Sequence, residues 1–258
     1  MHSEDCLKLK EGQLDAATLT LDEVLSARAQ GLQLTLVTVM NISAGADVVL
    51  SKPEIKTPQD LRGKRIGIYP STPALLLLEA LLQQGGLEQG DVELETMAVQ
   101  QQPEQWRQGG LDAVISYEPT ASALRRLGAG RLFDSRQAPE MIFDVLAVRS
   151  ERVADLAPSL RALLKAHYRS LEHIRSNRQD AIHRIATYLQ LSPVEVETAL
   201  GGIILPNLNS NRAQLAADGP LCRAAERVQQ LLLKTGQFSQ AMDLEGLTSP
   251  AYLPSDGE

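Results

Sequence analysis

The chain has 258 residues, 43% hydrophobic and 22% charged, with a formal net charge of -7. These values exclude a disordered or fibrous chain, and the acidic balance argues against a nucleic-acid binder, which needs a basic stripe. Two cysteines, Cys6 and Cys222, exclude a disulfide framework, and no stretch approaches the roughly 18 apolar residues of a membrane-spanning helix.

In chain order, Leu14–Thr20 reads as a short strand. Asp22 and Glu23 then open a helix that runs through Ala29 and ends at Gly31. Leu32–Met40 alternates as a strand, with Leu32, Leu34, Leu36, Thr38 and Met40 on one face. A turn-rich loop from Asn41 to Asp47 leads into the apolar run Val48–Leu50. Residues 51–63 form a connector whose Asp60–Gly63 part closes a short helical turn.

A strand follows at Arg65–Tyr69, and Thr72 suits the N-cap of a helix with Pro73 at its first position. That helix runs to about Gln84 and stops at Gly85–Gly86. Next come a strand at Val92–Ala98, a helix at Pro103–Gln108, a strand at Asp112–Ser116 and a helix at Pro119–Leu127. Short strands follow at Arg131–Phe133 and Ile142–Val148. Such alternation is the signature of an α/β unit with a largely parallel sheet. From Glu151 onward the strands stop. Helices are expected at 156–175, 179–190, 194–200 and 223–235, and a loose tail at Leu247–Glu258.

One offset of 97 residues relates two stretches. Gly12, Leu14, Asp15 and Ala16 recur as Gly109, Leu111, Asp112 and Ala113, Gly31 recurs as Gly128, and Asp47–Val48 recurs as Asp144–Val145. Solenoid repeats run at roughly 20 to 50 residues, so this period points to two similar lobes with a cleft between them. The second copy is preceded by a strand, a helix and another strand. Shifted back by the same offset, their counterparts fall ahead of Met1. Either the first lobe is built differently or the chain is the carboxyl-terminal part of a longer one; the second is the expectation, because a first lobe without those strands leaves the Leu14 strand an exposed sheet edge.

The motifs Asp60-Leu61-Arg62-Gly63-Lys64-Arg65-Ile66-Gly67, Gly109-Gly110-Leu111-Asp112-Ala113, Glu118-Pro119 and Leu132-Phe133-Asp134-Ser135 occur in that order. With them the chain resembles periplasmic solute-binding proteins of ATP-driven importers, of the nitrate, sulfonate and thiamine-precursor-binding type. The resemblance spans Gly12 to about Leu253. It implies an α/β fold of two lobes, of the type II periplasmic binding protein kind, with a helical carboxyl-terminal part. The lobes are expected at residues 1–50 with 143–258, and at 51–142, joined by crossover strands near 48–50 and 142–148. A small organic or oxyanion solute is then held by hinge closure, without cofactor or metal. The implied partner is a membrane permease, the location periplasmic, and the protein a monomer.

In open α/β sheets ligands bind beyond the carboxyl ends of strands. That rule selects Ser71 and Thr72, whose helix start suits an anionic or carbonyl group, although Thr72 also serves simply as a cap. It selects Thr18 and Thr20, for which a structural role competes, and their repeat mates around Tyr117 and Glu118. Glu118 is placed either to accept from a ligand amine or to favour the helix dipole. Asn41 and Ser43 lie in the loop after the long strand. Asp144, inside an apolar strand, must meet water, a ligand or a donor, and Asp47 has the same need. Tyr69 and Trp106 read as packed aromatics, and His167 and His173 as surface or partly packed helix positions.

Asp15 and Asp112 are pseudo-equivalents and so read as structural rather than as an acid and base pair. No zinc spacing, Gly-x-x-x-x-Gly-Lys loop or Ser-His-Asp arrangement is present. A non-enzymatic binding component is the leading reading. Its rivals are an enzyme of the thiamine-pyrimidine synthase type and a ligand-sensing domain of a regulatory protein.

Overall fold

A computed structural model describes residues 4–255. The chain divides into two compact units. Unit 1 comprises Met1–Ile42, Ile142–Val196 and Ile204–Glu258, and unit 2 comprises Ser43–Met141 and Glu197–Ile203.

The elements run α1 (Glu4–Lys10), β1 (Ala16–Thr20), α2 (Leu21–Ala29) and β2 (Leu34–Ser43), then β3 (Asp47–Ser51), β4 (Arg65–Ile68) and α3 (Thr72–Gly85). Next are β5 (Glu93–Thr96), α4 (Gln102–Arg107), β6 (Ala113–Tyr117), α5 (Thr120–Arg126), β7 (Gly130–Asp134) and β8 (Phe143–Arg149). The chain continues through α6 (Ala157–Ser176), α7 (Arg178–Leu189), α8 (Pro193–Gly201), β9 (Ile203–Ile204), α9 (Leu208–Gln214) and α10 (Pro220–Lys234).

Unit 2 is built on a five-stranded sheet of order β5-β4-β6-β3-β7. β5, β4 and β6 are parallel, and β3 runs antiparallel between β6 and β7. The helix α3 forms because Ala74, Leu77, Leu78, Leu81 and Leu82 recur at helical spacing. They bury one stripe against Val49, Ile66, Ile68, Ala113 and Ile115 of the sheet. Gly86 ends it in the left-handed region at φ 59, where a side chain would be strained. On the opposite sheet face Trp106, Ala121 and Leu124 pack against Val48, Leu50 and Val114.

The sheet assigned to unit 1 has the order β1-β8-β2-β9. Its block β1-β8-β2 has the same antiparallel arrangement as β6-β3-β7 of unit 2. Under the 97-residue offset Ala16 falls on Ala113, Val145 on Val48 and Leu34 on Arg131, so the repeat in sequence is a repeat of strand position. The helices follow it: α1 falls on α4 and α2 on α5. On α10, Leu221, Ala224, Ala225, Val228, Leu231 and Leu232 are buried at helical spacing, and this helix packs on α2.

Several expectations change. The first boundary between the units falls after Ile42 instead of residue 50, because β3 pairs with β6 and β7 and is an inner strand of unit 2. β2 runs on to Ser43, into the expected loop. Its clean alternation fails because the register shifts between Leu36 and Thr38 and between Val39 and Asn41, which buries Val37 and Val39 as well. Ser71, not Thr72, is the N-cap of α3. The short strand β9 interrupts the helical half, and α1 and α9 are further elements. The carboxyl-terminal tail is anchored up to its described end. Leu247 is buried, the Leu36 amide donates to its carbonyl at 2.8 Å, and the Ser249 amide donates to the Leu36 carbonyl at 2.9 Å. Among the described residues no helix is long and apolar enough to cross a membrane.

Candidate functional site

Each unit carries a row of polar side chains at the end of its sheet, and the two rows are repeat mates. In unit 1 the register places Thr20 opposite Asp144 and Asp144 opposite Asn41, so three strands contribute one residue each. The Asn41 side-chain amide donates to the Asp144 carboxylate at 2.8 Å. That contact supplies the donor that a carboxylate in an apolar strand needs. Thr20 lies at the start of α2, and its backbone amide donates to the Glu23 carboxylate at 3.0 Å. Thr18 is exposed on the strand.

In unit 2 the register sets Tyr117 opposite Asp47. The Tyr69 hydroxyl donates to Asp47 at 3.1 Å, and the Asp47 amide donates to the Ser43 hydroxyl at 3.3 Å. Asp47 is only 9% exposed, and burial pushes its carboxyl above the ordinary range, against the hydrogen bonds from Ser43 and Tyr69. The Tyr69 phenol is raised by burial and then by the neighbouring Asp47 charge. The rings of Tyr69 and Tyr117 meet edge to face at 5.2 Å, leaving Tyr117 exposed.

Two residues beyond Tyr69 the chain enters α3. The Ser71 hydroxyl accepts from the Ala74 amide at 3.3 Å and so is committed to the cap. Thr72, displaced from the cap, is 6% exposed, and its hydroxyl takes no hydrogen bond among the described residues. Its backbone amide sits in the first turn, where helices leave donors without intrahelical partners. Ser71 and Thr72 thus follow Tyr69 in the chain, and Tyr117 meets its ring.

The remaining candidates are engaged within their own unit. Ser43 shares a hydrogen bond with Ser135 at 2.8 Å. Glu118 accepts from the Ser122 amide at 3.0 Å with one oxygen and pairs with Arg125 through the other, an arrangement that serves the start of α5. Asp112 accepts from Lys52 at 2.8 Å and from the Arg65 amide at 3.0 Å, and Asp15 pairs with Arg152 at 3.1 Å, so both repeat-mate aspartates tie the sheet to cations. Trp106 is packed in the core, His167 is half-buried and His173 is exposed. Among the described residues no cluster of His, Cys, Asp and Glu suits a metal.

Reasoning from sequence missed a charged cavity of about 600 Å³ in unit 2, lined by Glu118, Arg125, Arg131, Arg136 and Glu197. There Asp134, 2% exposed, holds Arg136 at 2.6 Å and Arg131 at 3.3 Å. Burial works to raise the Asp134 carboxyl, but the bonds and charges of the two arginines bring it below the ordinary range. The spacing of Arg131, Asp134 and Arg136 around a strand end was the available signal.

A family model described as NMT1/THI5 like matches residues 4–181. The chain belongs to this family. Among its relatives, the taurine-binding periplasmic protein of Escherichia coli (strain K12) is 26% identical over 147 residues, 55% of this chain and 45% of that protein. The match thus spans less than half of that relative's length. The crystal structure of the periplasmic aliphatic sulphonate binding protein SsuA from Escherichia coli superposes with a TM-score of 0.81. It is 19% identical, with 95% of this chain and 78% of that chain covered. The desulfurization enzyme DSZB also superposes, with a TM-score of 0.68 at 20% identity over 93% of this chain and 84% of that one. The family fold is therefore the α/β fold of periplasmic solute-binding proteins, and a catalyst shares it.

Proposed function

We propose that this chain is the solute-binding component of an ATP-driven importer and that it captures a small organic sulfonate or related oxyanion. The observation that carries the reading is Thr72. A nearly buried hydroxyl with no hydrogen-bond partner among the described residues, beside the amides of the first turn of a 14-residue helix, is a donor set for an anionic oxygen. The exposed Tyr117 ring lies against Tyr69, three residues before Thr72 in the chain, and suits the organic part of such a solute. The names of the taurine-binding and sulphonate-binding relatives point to the same ligand class. Under this reading the partner is a membrane permease, the working location is periplasmic, and the protein turns over no substrate.

Calorimetric titration with taurine, short alkanesulfonates, nitrate, bicarbonate, pyrimidines and simple amines tests the reading. A sulfonate is expected to bind, and Thr72→Val to weaken it about tenfold or more, the cost of one lost hydrogen bond to a charged group. Binding of none of these solutes, or sulfonate binding untouched by Thr72→Val, refutes the assignment.

A further inference from the structure

The charged cavity of unit 2 is separate from the helix start at Thr72. Neither Thr72 nor Tyr69 lines it, and Arg125 in its wall belongs to α5, which packs on the sheet face opposite α3. Its arginines are held from behind. Asp134, whose side chain is only 3% exposed, accepts from Nε and Nη2 of Arg136 at 3.0 and 2.6 Å and from the Arg136 backbone amide at 3.0 Å. Nη1 of Arg131 lies 3.3 Å from the carboxylate oxygen that Nη2 of Arg136 meets. Two guanidinium groups thus converge on one buried carboxylate, which neutralises one of them.

The backbone accommodates this arrangement. Gly45 has φ 113, and a Cβ there would lie 3.1 Å from Nε of Arg136, so the arginine crosses bare backbone. Arg136 is therefore fixed, yet its side chain is 52% exposed and that of Arg131 is 55% exposed. Nη1 of Arg136 and Nε and Nη2 of Arg131 meet no acceptor among the described residues. The other carboxylate held by an arginine, Glu118, is taken up on both oxygens by the Ser122 amide and Arg125. Donors fixed in place before a ligand arrives lose little freedom on binding, and guanidinium forks match the oxygens of a tetrahedral anion.

We propose that this cavity is a second binding site, for a phosphate group that carries or neighbours a hydroxyl, as hydrogen phosphate or a hydroxylated phosphate monoester. The outward N–H groups of Arg131 and Arg136 clasp the phosphate oxygens, and Arg125 adds a third cation to the wall. Glu197, exposed on α8 in the same lining, sets the preference for phosphate. An ionised carboxylate only accepts, so it favours a ligand with an O–H to donate and disfavours sulfate and simple sulfonates, which have none at neutral pH. A volume of about 600 Å³ leaves room for the organic part of an ester.

Calorimetric titration of the full chain with inorganic phosphate, glycerol phosphate and sulfate tests the proposal. A phosphate is expected to bind, and sulfate to bind about tenfold more weakly or worse. The tighter of the two phosphates tells free anion from ester. Arg131→Gln, which leaves the Arg136 fork on Asp134, is expected to weaken phosphate about tenfold, and Arg136→Lys to do the same by replacing a fork with a point charge. Glu197→Gln is expected to narrow the gap between phosphate and sulfate. Thr72→Val is expected to leave phosphate binding intact, so failure of the sulfonate reading and failure of this one are distinguishable. Several outcomes overturn the proposal: no binding of either phosphate, binding untouched by both arginine variants, equal binding of sulfate, or loss of binding in Thr72→Val. So does binding that disappears at about 0.15 M salt, which marks a loose counter-ion and not a built site.

Discussion

The Asn41 side-chain amide and the Asp144 carboxylate meet at 2.8 Å across adjoining strands of unit 1, at positions that the register sets directly opposite. The pair answers the requirement that a carboxylate within an apolar strand find a donor. Asn41→Ala removes that donor, and a loss of about 1–2 kcal/mol in unfolding free energy is expected. The double variant Asn41→Ala with Asp144→Ala is expected to lose less than the sum of the singles, because the two residues share one interaction. Urea denaturation of the four proteins measures the coupling. Strict additivity shows that the contact contributes nothing.

Asp47, the repeat mate of Asp144, meets its need through Tyr69 instead. Its carboxyl is held above the ordinary aspartate value by burial, so the folded state disfavours the charged form. The sign follows: this contribution to stability is present at pH below the ordinary value of about 4 and is lost as pH rises through the raised folded value. Tyr69→Phe removes a bond that favours the carboxylate, so a larger loss on the alkaline side is expected. Asp47→Asn is expected to flatten the slope. Unfolding free energies measured across this window decide it, and identical slopes in all three proteins rule the linkage out.

The strands and helices of unit 2 were legible because each has a local cause. Pro73 and the leucine run mark α3, and the glycines at 85 and 86 mark its end. Its cap was misplaced by one residue because serine and threonine are nearly equivalent caps, and only the fold shows which hydroxyl reaches the Ala74 amide. β2 was cut short because Asn41 and Ser43 are turn residues by composition, yet Asn41 pairs with Asp144 across the sheet and the Ser43 hydroxyl bonds that of Ser135, both from distant parts of the chain. The aspartates of the two rows were visible as anomalies in apolar strands. The arginine cavity was not, since only the fold brings Arg125 and Glu197 beside the Arg131 and Arg136 that Asp134 holds.

Asp134 titrates with the opposite sign to Asp47. Burial opposes its charge, but Arg136 and Arg131 more than offset that cost and set its carboxyl below the ordinary value. Its contribution is therefore present above about pH 4 and is lost as pH falls through the lowered folded value. Asp134→Asn is expected to lower stability at neutral pH by about 1–3 kcal/mol and to reduce the acid-side slope. Acid unfolding followed by circular dichroism checks it, and an acid midpoint and neutral stability equal to those of the parent chain contradict the assigned role.

Gly202 tests the packing of unit 2 without touching a charge. The Ala44 and Ala46 amides both donate to its carbonyl, at 2.8 and 2.9 Å, which draws the segment after α8 against the residues leading into β3. A Cβ on Gly202 would lie 2.9 Å from the Ala46 nitrogen and 3.0 Å from its Cα, and backbone gives way less readily than a side-chain tip. Gly202→Ala is therefore expected to cost about 1–3 kcal/mol. At Gly201 an added Cβ meets nothing within 4 Å, so Gly201→Ala is expected to stay within about 0.5 kcal/mol of the parent. Equal thermal unfolding of the two variants would mean that the close approach at residue 202 does not constrain the fold.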